Sequence, residues 1–170
     1  MTMTIEPPVV SPIPEGFHTI TPSITVKGAA EAIEFYKKAF GAIEIDRATW
    51  TDGTTIMHAT IQIGSSRLML NDEFPEMGAR GPIAIGGTPV SMFLYVEDSD
   101  AVFNAAVAAG ATVAMPMNDA FWGDRWGIVA DPYGHIWQLS TRKHNISIED
   151  AQKAMAEMGG ECGGAPAQTV

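Results

Sequence analysis

Between Ile20 and Val26, apolar Ile20, Pro22, Ile24 and Val26 alternate with Thr19, Thr21, Ser23 and Thr25, the two-residue period of a strand with one buried face. Gly28 then opens a stretch in which Ala29, Ala32, Ile33, Tyr36, Ala39 and Phe40 recur at helical spacing on one side. Gly41 follows, where a left-handed C-cap favours a residue without a side chain. Three more strands are expected at Ala42–Trp50, Thr54–Ile63 and Arg67–Leu70, separated by Thr51-Asp52-Gly53 and Gly64-Ser65-Ser66. An Asp-Gly pair between alternating segments is a hairpin signal. The order is β-α-β-β-β.

The pattern returns about 70 residues later. Val90, Met92, Leu94 and Val96 alternate with Ser91, Phe93 and Tyr95, and Asp98 or Ser99 can cap a helix carrying Val102, Phe103, Ala106 and Val107 that stops at Gly110. Strands at Thr112–Met117, Trp126–Ala130 and His135–Thr141 complete a second unit, the last two joined by Asp131-Pro132-Tyr133-Gly134. Neither unit, at about 55 residues, buries its sheet well alone, so the two are expected to share a core.

Residues 17–145 therefore read as one domain, with a first module at 17–72, a linker rich in Gly, Pro and Glu at 73–88, and a second module at 89–145. Residues 1–16 read as an extended, proline-bearing arm and 159–170 as a flexible tail. Within 146–158 a helix is expected, with Ser147 as N-cap and Asp150 in the capping-box position. Its stripe of Ile148, Ala151, Met155 and Met158 needs a surface to cover, either its own sheet or a second subunit.

Composition narrows the chemistry. Ten basic against twenty acidic residues give a net charge of −10, and the basic ones are scattered, which disfavours nucleic-acid or anionic-membrane partners. No apolar run approaches the ~20 residues that span a bilayer, and the first sixteen residues lack the features of a signal peptide, so a cytoplasmic location is expected. The single cysteine, Cys162, leaves no disulfide framework and no cysteine-based zinc cluster. Phosphate-binding loops, a nucleophile elbow and a Cys-x-x-Cys pair are all absent.

Candidate chemistry concentrates on the face of the strands turned away from the helices. In the third strand Met57, Ala59, Ile61 and Ile63 are expected to face the helix, leaving Ile56, His58, Thr60 and Gln62 on the other side. In the fifth, Ser91, Phe93 and Tyr95 take that side. Curled sheets enclosing such a mixed trough suit a small molecule. Phe121-Trp122-Gly123-Asp124-Arg125-Trp126 adds three rings and a charge pair, and Trp137 follows on the last strand. Indoles stack on planar ligands and Arg125 offers a donor fork for a carboxylate or phosphate. Against this, Trp126 and Trp137 are large enough to serve simply as core, and Asp124–Arg125 as a local ion pair. His58 is the histidine placed for chemistry, as a ligand, a hydrogen-bonding group or a general base; His135 and His144 read as solvated, and His18 has no evident partner. Asp72 and Glu73 end the fourth strand and either rim the cleft or face water.

The duplicated β-α-β-β-β order, AIEFYKKAFGA, MHATIQIGSSRLMLND and FWGDRWGIVADPYGHIWQLSTR together resemble the vicinal oxygen chelate superfamily, and within it the PhnB-like branch of glyoxalase and bleomycin-resistance-type proteins. The likeness covers roughly residues 18–142. It implies an α+β fold of two tandem βαβββ modules, a curled mixed β-sheet with helices outside. It also implies metal-dependent isomerases, dioxygenases and thiol transferases, or metal-free sequestering proteins, as the range of activities. Metal-bearing members place His or Glu on the first, fourth, fifth and eighth strands; here those positions are Thr21, the neighbourhood of Leu68, Ser91 and Gln138, which is no divalent-metal set.

The expectation is therefore a binding protein without metal or other cofactor, its ligand held by His58, Phe93, Tyr95, Trp122, Arg125, Trp137 and Gln138. The alternative is a metal-dependent lyase, isomerase or dioxygenase with a rearranged site around His58, the best catalytic candidate. The partners expected are a small molecule and a second copy of the chain, since open sheet edges call for cover.

Overall fold

The alternation at the start of the first module yields strand β1 (Ser23–Val26), with Ile24 and Val26 turned inward. In the computed structural model, which describes residues 10–157, β1 leads into α1 (Ala29–Phe40), β2 (Ile43–Thr49), β3 (Ile56–Ile63) and β4 (Ser66–Asp72). The second module repeats this as β5 (Ser91–Tyr95), α3 (Ser99–Ala109), β6 (Thr112–Asp119), β7 (Asp124–Ala130) and β8 (Ile136–Arg142). Residues 73–88 carry one turn of 3-10 helix (Pro75–Met77) and a four-residue helix, α2 (Pro82–Ile85). The last element is α4 (Ile148–Glu157).

Each module forms a four-stranded mixed sheet, ordered β1-β4-β3-β2 and β5-β8-β7-β6, in which the first and last strands of the module run parallel. The architecture is α+β, as the duplication predicts. The sheets do not close on each other: among the described residues neither β1 nor β5 has a paired strand on its other edge. The helices end as their sequence foretells. Gly41 and Gly110 both adopt the left-handed conformation, and each donates its N–H back into the last turn.

The helix starts differ. Asp98 caps α3 locally, accepting from the Ala101 amide at 2.9 Å. α1 has no such local acceptor, and its cap comes from the end of β4, the strand paired with β1. Asp72, closing β4, accepts the Gly28 and Ala29 amides at 2.9 and 2.8 Å and the Ile56 amide at 2.7 Å. Glu73 accepts the Gly81 amide at 2.8 Å. These acids therefore hold backbone amides in place.

The modules meet through α1 and α3, which pack on one another, and through an aromatic cluster. Trp137 of β8 lies with its ring centroid 5.3 Å from Tyr36 and 4.5 Å from Phe40, both on α1. Beneath them Asp131 accepts hydrogen bonds from the Tyr36 hydroxyl at 2.8 Å and the Trp137 indole at 2.9 Å. It also accepts the Tyr133 and His135 amides, so the carboxylate is saturated by neutral donors. Burial, then the charge and hydrogen bond of Asp131, push the Tyr36 phenol well above its ordinary value.

Two expectations need correction. His135 is buried rather than solvated, and its Nε2 donates to the Thr25 carbonyl at 3.1 Å, tying the β7–β8 turn to β1. The strict alternation along β3 also fails at its start. Ala48 pairs with His58 while Thr49 pairs with Ile56, so Met57 is the extra residue of a bulge. Ile56 is consequently buried and Met57 exposed, the reverse of a regular pleat.

The capping pair at α4 forms: the Asp150 amide donates to Ser147 Oγ at 3.1 Å, and that hydroxyl donates to Asp150 Oδ2 at 2.7 Å. No described residue of the helix is buried, and Ile148 and Met155 meet solvent. Met158, the tail at 159–170 with Cys162, and positions 1–9 of the expected arm lie outside the described residues. Among those described, no helix is long and apolar enough to cross a membrane.

Candidate functional site

The unpaired edge of β5 borders a cavity of about 730 Å³, enclosed on the other side by the segment from His18 to Pro22 and by the β3–β4 turn. Alternation along β5 sets Ser91, Phe93 and Tyr95 on the face turned from α3. Phe93 and Tyr95 pack against each other with ring centroids 5.0 Å apart and planes tilted by 43°, and are 43% and 59% exposed, a large apolar surface on an accessible wall. Phe40 and Trp137 also line the cavity, though Trp137 is only 1% exposed and committed to the core. Polar lining comes from His18, Thr21, Ser65, Ser66, Ser91 and Arg67.

Beside this cavity, on the same face, lies a network built on Asp124. Its carboxylate accepts from the Tyr95 hydroxyl at 3.0 Å, Ser140 Oγ at 2.9 Å and Arg142 Nε at 2.9 Å. Burial by itself raises the Asp124 carboxyl, but the hydrogen bonds from Ser140, Tyr95 and Arg142, with the arginine's charge, together hold it below the usual carboxylate value. Asp124 thus fixes the outer end of Tyr95 and anchors a guanidinium that is half exposed.

Gln138, in the middle of β8, accepts from the Trp126 indole at 3.1 Å and donates to Ser91 at 2.8 Å. Two of the four positions at which the resemblance implies metal ligands, Ser91 and Gln138, are thereby hydrogen-bonded to each other. Leu68 is buried in the core and Thr21 carries a hydroxyl bonded to the His18 carbonyl. A hydroxyl pair, an amide and an alkyl group do not fit a divalent ion. No three His, Cys, Asp or Glu side chains converge among the described residues.

The seven side chains singled out in the sequence are only partly brought together. Phe93, Tyr95 and Trp137 line the cavity, and Gln138 touches it through Ser91. His58 stands on β3 outside it, with Nε2 3.2 Å from Thr60 Oγ1 and 3.7 Å from Asp46. Trp122 packs edge-on between Phe121 and Trp126 at the β6–β7 connection. Arg125 is clamped by Asp100, with Nη2 and Nε both at 2.9 Å, and by Asp119 at 3.5 Å. Asp124 therefore pairs with Arg142, not with its neighbour in sequence. His18 and Arg67, by contrast, line the cavity and were not singled out. Their approach depends on the arm folding back over β4, which no periodicity announces.

Comparison with known proteins agrees with the fold. The sequence profile of the Glyoxalase/Bleomycin resistance protein/Dioxygenase superfamily matches residues 16–139. Protein Rv0887c of Mycobacterium tuberculosis is 44% identical over 143 residues, covering 82% of this chain and 84% of that one. Among solved structures, TioX from Micromonospora sp. ML1 superposes with a TM-score of 0.58 at 25% identity, over 76% of this chain and all of its own. The PhnB protein from Bacillus cereus superposes at 0.57 and 23% identity over 73% of this chain and 99% of its own, a likeness of fold. With its duplicated βαβββ plan and a sequence match across nearly three quarters of its length, the chain belongs to the glyoxalase/bleomycin resistance protein/dioxygenase superfamily.

Proposed function

We propose that the protein is a metal-free binder that holds a small aromatic or amphipathic molecule in the cavity along β5, sequestering it rather than transforming it. The observation that carries this reading is the exposed Phe93–Tyr95 pair on the wall of an open cavity of about 730 Å³, a volume suited to a drug-sized ligand. Binding of this kind needs apolar surface, a few orienting polar groups and a rigid wall. Asp124 contributes the last by fixing Tyr95. The donor set at Thr21, Leu68, Ser91 and Gln138 supports the same reading, because it offers a cation little to bind.

The reading includes a homodimeric state. Among the described residues β1 and β5 both present free edges, and Ile20, Val90 and Tyr95 stand exposed beside them, so a second copy is the natural cover. It also includes a cytoplasmic location, where a sequestering protein meets its ligand before the ligand reaches its target. Isothermal titration against a panel of planar antibiotics is the direct test: saturable heat that Phe93→Ala diminishes is the expected result. Absence of heat with every compound, together with turnover of a metabolite, overturns the proposal. Light scattering at micromolar protein reads the dimer.

A further inference from the structure

Among the described residues Arg67 has no carboxylate partner, unlike three of the other four arginines. Arg47 pairs with Glu44, Arg125 with Asp100 and Asp119, and Arg142 with Asp124. Arg80, the fourth, is exposed to water. Arg67, at the start of β4, is half-buried, and among the described residues no carboxylate lies within ion-pairing distance of it. Its Nε is moreover a buried donor with no acceptor among the described residues. Such a group is uncommon in a folded protein and calls for an explanation.

The side chain is nevertheless held in place. Its guanidinium lies over the Phe17 ring at 4.6 Å and presses against Gly16, where an added Cβ would come within 2.5 Å of Nη2. Gly16 also has a φ of 78°, so the arm crosses the guanidinium at a position that requires glycine on both counts. A planar, permanently charged group, fixed by packing and lining a cavity with Phe93 and Tyr95, is a pre-organised receptor for an anion. His18, Ser65, Ser66 and Ser91 supply polar groups on the same lining. In a chain of net charge −10, a cation at this place is also set against the overall field.

We propose that the cavity selects an organic anion: an apolar, ring-bearing body against Phe93 and Tyr95, and a carboxylate, sulfonate or phosphate group on Arg67. This rests on the reading of the cavity as a ligand site, and adds the charge of the ligand and the residue that reads it. A neutral compound of the same shape leaves Arg67 without its counter-charge and should bind more weakly.

Two fluorescent probes that share a skeleton separate the two ideas. Anilinonaphthalene sulfonate carries the anion, and phenylnaphthylamine lacks it. The native protein is expected to bind the sulfonate about tenfold more tightly, the range of a charge-assisted contact. Added sodium chloride should narrow the gap. Arg67→Gln should abolish the gap by weakening the sulfonate far more than the neutral probe, Arg67→Lys should retain most of it, and Phe93→Ala should weaken both probes. Near-ultraviolet circular dichroism checks that each variant is folded; should Arg67→Gln not fold, the salt-sensitive gap in the native protein decides. Equal affinity for both probes, with Phe93→Ala weakening both, overturns the anion inference and leaves the ligand site standing. Failure of both probes to bind, or indifference of both to Phe93→Ala, overturns the inference together with the reading beneath it.

Discussion

The two modules share a plan and differ in what they bury. Of the buried apolar side chains, fifteen belong to the first module and six to the second; of the buried polar ones, only Thr60 belongs to the first, against Ser99, Asp124, Asp131, His135, Ser140 and Thr141 in the second. The helices show the origin of the asymmetry. α1 presents Ile33, Phe35, Tyr36 and Phe40, whereas α3 is alanine-rich and buries only Phe103 and Ala106 among its apolar residues. The aromatics of α1 reach across to Trp137 and fill volume that α3 leaves open. The first module acts as apolar scaffold. The second uses its interior to hold polar groups in fixed positions, which rigidifies a surface only when every group is satisfied. Asp124 and Asp131 meet that condition, with three and four donors respectively.

The asymmetry is broken most severely at Trp137, the second module's largest contribution to the shared core. Trp137→Ala should cost about 3–5 kcal/mol, measured by urea denaturation, because it opens a void under Tyr36 and Phe40 and strips one donor from Asp131. A loss within 1 kcal/mol of zero would show that the aromatic bridge contributes little.

A smaller effect tests the polar network. Asp124 has a lowered carboxyl value in the folded protein, so the stability it contributes is present above the unfolded carboxylate's value and is lost as pH falls through the folded one. Asp124→Asn should cost about 1–3 kcal/mol at neutral pH and flatten this acid limb. Thermal melts from neutral to acid pH read both. An acid limb identical to that of the native protein would remove Asp124 from the account.

The smallest comparison sets like against like. Asp72 and Thr141 each reach from the last strand of a module to the first turn of its helix, Thr141 Oγ1 accepting the Ser99 amide at 2.8 Å. Because Asp72 holds three amides and Thr141 one, Asp72→Ala should cost ~2 kcal/mol and Thr141→Val ~1 kcal/mol in the same denaturation assay. Equal losses would mean that the extra bonds of Asp72 are offset by the burial of its charge.

Local pattern made the fold legible. The periods of two and 3.6 and the glycines at 41 and 110 mark the elements, and the second appearance of the series marks the duplication. Where tertiary contacts intrude, the pattern misleads: the bulge at Met57 inverts the start of β3, and His135 leaves a turn to cross onto β1. The site was less legible. Phe93 and Tyr95 follow from alternation on β5, but adjacency in sequence joins Asp124 to Arg125, whereas the fold gives Arg142 to the first and Asp100 to the second. Arg67 carries no signal of its own, since its isolation depends on where every carboxylate finally lies.

The Tyr36–Asp131–Trp137 knot joins a helix of one half to a turn and a strand of the other. Severing the halves takes the Tyr36 hydroxyl from the carboxylate and the indole from the face of Phe40, so neither half is expected to melt independently. Heat should therefore undo the duplicated molecule in a single cooperative step, with calorimetric and van't Hoff enthalpies equal.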